Sequence, residues 1–223
     1  MLIKEIRALV HKEILFEWRM KYAFSGILLY LTSSVFVVYI VFELGKAAIT
    51  PTTWNVLLWV VMLFVATNAT AKSFIQESRE RLLYYYTIAS PESVMISKIL
   101  FNGLLMIFLV IGGCAIFMIL LGNPVQDMPL FMFNLIIGAI GFAASFTMIS
   151  GIASKATNSS TLMAILGFPI ILPMLLLLIK VSGAAIDGLD RSVSYDELMT
   201  LMAIIIISIT TSVILFPYLW RSN

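Results

Sequence analysis

Residues 99–126 read ILFNGLLMIFLVIGGCAIFMILLGNPVQ, a run of 28 residues between Lys98 and Asp127 that contains no charged side chain. A helix needs roughly 20 mainly apolar residues to cross a hydrocarbon core of ~30 Å. Five further uncharged runs of at least 20 residues lie between Lys21 and Glu43, Lys46 and Lys72, Asp127 and Lys155, Lys155 and Lys180, and Glu197 and Arg221. The sequence therefore predicts six transmembrane helices, at about 23–42, 53–71, 99–121, 130–153, 161–180 and 199–219.

The composition agrees with this interpretation. Of the 223 residues, 61% are hydrophobic and 12% are charged, against about 25% charged residues in an ordinary soluble domain. This composition excludes a soluble globular protein, and a disordered chain would need low hydrophobicity and high net charge. Apolar and polar residues do not alternate over segments of about ten residues, which excludes β-barrel spans. The predicted fold class is all-α, a polytopic membrane protein with one transmembrane domain over residues 23–219.

The segment before the first span, residues 1–22, has the pattern of an amphipathic helix. Its apolar residues recur at helical spacing, namely Leu2, Ile3, Ile6, Leu9, Val10 and Ile14. Lys4, Glu5, His11 and Lys12 fall on the other side. We expect a cytoplasmic helix that lies in the interface of the membrane lipid. The alternative is a charged lead-in to the first span.

The distribution of basic residues predicts the orientation. If the N-terminus is cytoplasmic, 11 of the 14 Lys and Arg residues lie in inside segments and three, Lys46, Lys180 and Arg191, lie outside. This bias follows the positive-inside rule and places both termini in the cytoplasm, for a multi-pass protein of the bacterial cytoplasmic (inner) membrane. Nucleic acid is not an expected partner, because the chain has no basic domain free of spans.

The inside loop 72–98 reads KSFIQESRERLLYYYTIASPESVMISK. Glu77 and Arg81 are spaced i, i+4, which supports a first helix. Ser90 then fits a helix N-cap, Pro91 the first helical position and Glu92 the first turn, which predicts a second helix. Arginine and aromatic residues are enriched in protein interfaces, so the loop is either a docking surface for another protein or a solvated loop with tyrosines at the membrane interface. The outside loop 181–198 is acidic, and we expect a short turn or helix within it.

The sequence lacks the residues that nucleotide binding, metal binding and several kinds of catalysis require. The sequence holds no G-x-x-x-x-G-K-[ST] pattern, one histidine (His11) and one cysteine (Cys114). No catalytic, metal-binding or cofactor-binding residue is predicted, and the chain is not expected to be an enzyme. The span interiors contain no Asp, Glu, Lys or Arg, which argues against a proton relay within the helices. Transport along such a bundle would need energy supplied by another subunit.

The polar residues within the spans are neutral and suit interhelical hydrogen bonds. They are Asn55, Thr67, Asn68, Asn102, Asn134, Ser145, Thr147, Thr210 and Thr211. The fourth span is rich in small residues, including Gly138, Gly141 and Ser145, which let helix backbones approach closely. We therefore expect the fourth span to be central in the packing.

The fifth span contains two prolines four residues apart, Pro169 and Pro173, in the stretch GFPIILPMLL at 167–176. Each removes a backbone hydrogen bond and opens the helix locally. The pattern predicts a helix kink, which either serves packing or acts as a hinge.

With this P-x-x-x-P span, the chain resembles the CcmB family, the membrane subunits of a haem exporter within the ABC-type exporter superfamily. The resemblance covers nearly the whole chain: its length, six spans, an N-terminal amphipathic helix, and a cytoplasmic loop with Glu77, Leu82-Leu83, Ser90-Pro91 and Lys98. Family members usually carry a glycine after the acidic residue, where this chain has Ser78-Arg79-Glu80-Arg81, and the run Tyr84-Tyr85-Tyr86 is also atypical.

The resemblance implies a transmembrane subunit that works in cytochrome c-type biogenesis with a cytoplasmic ATP-binding subunit (CcmA-like) and with CcmC-, CcmD- and CcmE-like membrane proteins. ATP bound to the partner would drive haem delivery and the release of the haem-loaded periplasmic chaperone. Haem would be a cargo and not a resident cofactor. The resemblance also implies that an ATPase-coupling surface is formed by Glu77, Arg79, Glu80, Arg81, Pro91 and Glu92. Two alternatives are a membrane subunit that exports a lipid, glycan or drug, and a scaffold that transports nothing.

Overall fold

The computed structural model describes residues 2–19, 21–46, 48–70, 73–74, 89–154 and 159–221. Within these residues the regular structure is helical. The helices are α1 (Leu2–Arg19), α2 (Lys21–Gly45), α3 (Pro51–Thr70), α4 (Pro91–Leu121), α5 (Met128–Ala153), α6 (Ser159–Ile186), a short 3-10 helix (Arg191–Ser194) and α7 (Tyr195–Arg221).

Six of these helices, α2 to α7, are long and apolar enough to cross a membrane. The predicted all-α fold with six transmembrane helices is therefore confirmed, as is a separate helix before the first span. Successive crossings alternate in direction, so the bundle has two ends. We call the end that carries α1 and residues 73–74, 89–98 and 151–154 the α1 end, and the other the opposite end.

The central position of the fourth span is also confirmed. In α5, 83% of the residues in the most apolar stretch are buried, compared with 44% in α3 and less in the other spans. α5 packs against α3, α4, α6 and α7, and its glycines explain how the neighbours come so close. A Cβ atom on Gly138 would lie 2.6 Å from Cη2 of Trp59 in α3, and one on Gly141 would lie 2.7 Å from the Met174 sulfur in α6.

The segment 181–198, predicted as a loop, contains mostly helix. α6 continues to Ile186, and α7 begins at Tyr195 after the 3-10 helix. Asp190 caps that short helix by accepting a hydrogen bond from the Ser192 N–H at 2.9 Å. The helical segments leave only residues 187–190 as turn and irregular structure, so the connection at the opposite end is tight.

Candidate functional site

The cytoplasmic loop returns to the bundle at Ser90, where α4 begins. Ser90 is the N-cap, with φ −74° and ψ 145°, and its side chain accepts from the Ser93 N–H. Pro91 takes the first helical position and Glu92 lies in the first turn. The predicted second helix of the loop and its cap are confirmed. α4 has 31 residues and is therefore about 46 Å long, which exceeds the ~30 Å thickness of a hydrocarbon core.

A carboxylate from α1 holds this helix start in place. Glu5 Oε2 accepts hydrogen bonds from the Ser90 N–H at 3.3 Å, the Ser90 hydroxyl at 3.2 Å and the Ser93 hydroxyl at 3.0 Å. These donors, the Ser90 N–H above all, lower the pKa of Glu5, so the carboxylate is charged at neutral pH. A negative charge at a helix N-terminus is also favoured by the helix dipole.

The second contact between α1 and α4 is a buried ion pair. The ammonium of Lys98, whose side chain is 5% exposed, lies 3.4 Å from Glu13 Oε1 and donates to the Ser73 carbonyl at 3.1 Å. It also lies 4.9 Å from the centroid of the Phe74 ring, within cation–π range. Lys98 therefore connects α1, the start of the cytoplasmic loop and α4.

Burial alone would raise the pKa of Glu13, but the charges of Lys98 and Lys12 outweigh it, and the net result is a lowered pKa. For the next acidic residue in α1, Glu17, burial and the charge of Glu13 raise the pKa. Glu13 thus stays ionised and paired, while Glu17 gains a proton more readily than an exposed glutamate.

The loop is also anchored where it leaves the bundle. The Phe74 N–H donates to the Ser150 hydroxyl of α5 at 3.0 Å, and the Phe74 ring packs against Phe216 of α7 with the centroids 5.1 Å apart. Phe74 is only 2% exposed. Both ends of the loop therefore touch several helices of the bundle.

Four of the residues predicted for a coupling surface, Glu77, Arg79, Glu80 and Arg81, lie outside the described residues. The other two, Pro91 and Glu92, are half-buried in the first turn of α4, two residues or fewer from the Glu5 contacts.

The fifth crossing, α6, contains Pro169 and Pro173 within one helix, and both side chains are exposed on the bundle surface. Beyond them, the part of α6 near the opposite end is fixed by buried polar contacts. Asn134 of α5 donates to the Leu178 carbonyl at 2.9 Å, and Asn55 of α3 donates to the Ile179 carbonyl at 2.8 Å.

Ser182 is the hub of this polar network. Its hydroxyl accepts from the Trp59 indole N–H at 2.7 Å and contacts Asn55 Oδ1 at 2.7 Å. Trp59, Ser182 and Asn134 have no exposed surface. Three helices, α3, α5 and α6, are thus joined by hydrogen bonds between polar groups that lipid cannot satisfy.

The neutral polar residues predicted for interhelical hydrogen bonds do not all form them, and the buried Ser145 hydroxyl has no hydrogen-bond partner among the described residues. Asn55, Asn102 and Asn134 make such bonds, with Asn102 donating to the Thr147 hydroxyl at 2.7 Å. For Thr67 and Asn68 the prediction was wrong, because both donate to carbonyls four residues earlier in their own helix. A short polar side chain satisfies itself in this way when no neighbouring helix offers a closer partner.

Sequence reasoning missed Glu5, Glu13 and Ser182. Glu5 was expected on the polar side of α1, away from its apolar face, but it points to the start of α4. Ser182 was placed in a loop because it follows Lys180. For Glu5 the sequence offered one indication, because an acidic side chain is favoured at a helix start such as the Ser-Pro cap. Glu5 and Ser90 are 85 positions apart, however, and no local pattern indicates that they pair.

At the opposite end, Asp127 caps α5 and forms a two-bond ion pair with Arg191 at 2.6 and 2.9 Å. The Arg191 guanidinium lowers the pKa of Asp127. Beside this end, a cavity of ≈ 230 Å³ lies between the α2–α3 and α4–α5 connections and is lined in part by Trp54 and Gly122. Among the described residues, no group of three or more His, Cys, Asp or Glu side chains is placed to hold a metal ion.

Six helices long and apolar enough to cross a membrane define an integral membrane protein of the multi-pass, all-α class. The family model described as CcmB protein matches residues 4–219, and the chain belongs to this family. Membership makes it a membrane component of the haem exporter of cytochrome c maturation, in the inner membrane. Neither the curated proteins nor the solved structures contain a match to the chain.

Proposed function

We propose that this chain is the transmembrane subunit of a haem-maturation complex. A cytoplasmic ATP-binding subunit docks on its loop 72–98 and drives its movement. The loop carries Glu77, Arg79, Glu80 and Arg81, and its last helix begins with Pro91 and Glu92. Force from the partner would move the loop, and the bundle would use that movement to release haem-loaded chaperone on the periplasmic side. CcmC- and CcmE-like partners would handle the haem.

The observation that carries this proposal is the double anchoring of the loop. Its start contacts α5 and α7 through Phe74, and its end contacts α1 through Ser90. A solvated loop needs no such contacts, whereas a loop that transmits force needs stiff connections at both ends. The buried pair of Lys98 and Glu13 adds a third connection.

The two prolines of α6 provide a point at which this helix can bend. The part of α6 around residues 178–182 is fixed to α3 and α5 by Asn55, Asn134 and Trp59. Pro169 and Pro173 lie on the α1 side of these contacts, and each lacks the N–H that would close the helical turn before it. We infer that this half of α6 bends about the prolines while the other half stays in place.

Both termini and the loop 72–98 face the cytoplasm in this proposal, as the distribution of basic residues predicts. Labelling of engineered thiols tests the orientation. Ser78→Cys lies in the loop and Asn123→Cys at the opposite end, while the single native cysteine, Cys114, is buried. An impermeant maleimide added to intact spheroplasts should label only Asn123→Cys. Labelling of Ser78→Cys under the same conditions would refute the proposal.

Charge reversal tests the docking surface. Glu77→Lys with Glu80→Lys should abolish co-purification of the ATP-binding subunit and stop cytochrome c maturation, because it inverts the charge that the partner meets. The matched control is Asp187→Lys with Asp196→Lys at the opposite end, where both side chains are exposed. If the loop variant still binds the ATPase and matures cytochrome c, the loop is not the docking surface. Stimulation of the partner's ATP hydrolysis by the reconstituted chain separates a driven subunit from a passive scaffold.

A further inference from the structure

The acidic and the exposed basic residues of α1 lie on different sides of the helix. Its three acidic residues are turned toward the bundle: Glu5 contacts Ser90 and Ser93, Glu13 contacts Lys98, and Glu17 is half-buried. The fully exposed residues of the same helix include no acid. The outer face of α1 is therefore positive, although α1 as a whole contains both signs.

The cations of this face form a stripe. Lys4, Arg7 and Arg19 are exposed, and in the part of the chain that the structure describes no ion pair engages them. Lys4, Arg7 and the exposed His11 are spaced by three and four residues, which places them on one side of a helix.

Apolar side chains border the stripe. Ile3 is 80% exposed, and Ile14 and Leu15 are 42% and 45% exposed. Cations combined with exposed apolar side chains are the residue set by which a helix lies on a membrane surface. An acidic protein surface would match the cations but leave these apolar side chains without a suitable contact.

The position of α1 directly before the first spanning helix favours contact with the membrane surface. α1 ends at Arg19 and the first spanning helix begins at Lys21, so a single residue lies between them and the two ends are at most about 7 Å apart. α1 is therefore held at the level where the hydrocarbon core gives way to headgroups.

We propose that the outer face of α1 binds the headgroups of anionic phospholipids, with phosphate oxygens accepting hydrogen bonds from Lys4, Arg7 and Arg19. Ile3 and Ile14 enter the boundary with the acyl chains. The bound lipid braces the helix whose inner face holds the start of α4 through Glu5. This binding does not depend on a partner subunit.

A local fluorescent reporter tests the proposal in the full chain. Ala8 is exposed on the cationic side of α1, so Ala8→Cys can carry an environment-sensitive dye. Brominated phosphatidylglycerol, a quencher, is titrated into the detergent-solubilised protein, with brominated phosphatidylcholine as the comparison lipid. We expect quenching at lower concentration by the anionic lipid, and weaker quenching as salt is raised.

Removing the charges should remove the preference. An exposed cation near an anionic surface accounts for about a fivefold change in affinity, so Lys4→Gln, Arg7→Gln and Arg19→Gln together should weaken binding about a hundredfold. The matched control keeps the charge, with Lys4→Arg, Arg7→Lys and Arg19→Lys, and should keep the affinity. Because these side chains contact solvent, the variants should retain the elution profile of the parent protein.

Two results would overturn the proposal. The first is equal quenching by the two lipids in the parent protein. The second is a glutamine variant that retains its affinity for phosphatidylglycerol, and if this variant also loses the ATP-binding subunit on co-purification, an acidic protein surface occupies the face instead.

Discussion

The ion pair between Lys98 and Glu13 gives the sharpest test of how α1 and α4 are joined. Replacing Lys98 with methionine keeps an unbranched side chain one atom shorter and removes its charge. The variant loses the pair with Glu13, the hydrogen bond to the Ser73 carbonyl and the cation–π contact with Phe74. It also leaves the carboxylate of Glu13, 14% exposed, with one fewer partner.

The size of the effect follows from the burial. Breaking a buried pair by removing one partner costs 3–5 kcal/mol. Glu13 keeps Lys12 at 2.9 Å, which places the expected loss at the lower end, about 3 kcal/mol. That change corresponds to roughly a hundredfold shift of the unfolding equilibrium.

The chain offers a matched control at the opposite end. Lys180 also pairs with a glutamate of another helix, Glu197 at 2.5 Å, but its side chain is 69% exposed. Glu197 is as buried as Glu13, 13% against 14% exposed, so the two pairs differ mainly on the lysine side. Because water reaches the Lys180 side chain, the pair is screened and Lys180→Met should cost less than Lys98→Met, about 1 kcal/mol. Unfolding in mixed micelles, followed by circular dichroism, compares the two variants, and haem staining of mature cytochrome c reports their function.

The double variant isolates the pair. Glu13→Gln in the Lys98→Met protein removes the uncompensated charge, so the two losses should add to less than their sum, with a coupling of about 1 kcal/mol or more. Equal losses for Lys98→Met and Lys180→Met, or strict additivity of the double variant, would refute the claim that Lys98 connects α1 to the bundle.

Two other predictions concern packing and pH. Gly138→Ala should lower the free energy of unfolding by about 1–3 kcal/mol, since its Cβ would lie 2.6 Å from the Trp59 ring. Gly103→Ala, with nothing within 4 Å, should be neutral or slightly stabilising. Unfolding in micelles checks both variants, and equal stability would disprove the close approach. Arg191 lowers the pKa of Asp127, so the stability contributed by this carboxylate is present above its unfolded pKa of about 3.9 and is lost as the pH falls through the lower folded value. Arg191→Met should raise that pKa toward its unfolded value, so the variant should be less stable near neutral pH and should lose less stability on acidification than the parent. A pH profile identical to that of the parent would contradict the ion pair.

The number of spans, the central fourth span and the cap at Ser90 could be predicted because each depends on local sequence. Hydrocarbon thickness sets the length of an uncharged run, small residues permit close packing, and a cap acts within three residues. These rules operate over one helix or one turn.

The contacts that join the elements could not be predicted. Glu5 and Ser90 are 85 residues apart, and Asn55 and Ser182 are 127 residues apart, and no local pattern states which helices will be neighbours. The direction of Glu5 is a clear case: helical periodicity placed it correctly on one side of α1 but not against a particular partner. The role of Pro169 and Pro173 likewise depends on where α6 is fixed, which only the packing reveals.

The burial of α5 has a consequence for how the protein is made. α5 leaves the ribosome before α6 and α7, yet both helices cover it in the finished bundle, and the Asn134 amide has its acceptor, the Leu178 carbonyl, in α6. Until α6 arrives, this amide lies in a newly inserted helix without that acceptor, in a medium that cannot hydrate it. Chains interrupted in the connection after α5 would therefore expose a polar group to lipid, and α5 would be completed only when α6 inserts beside it.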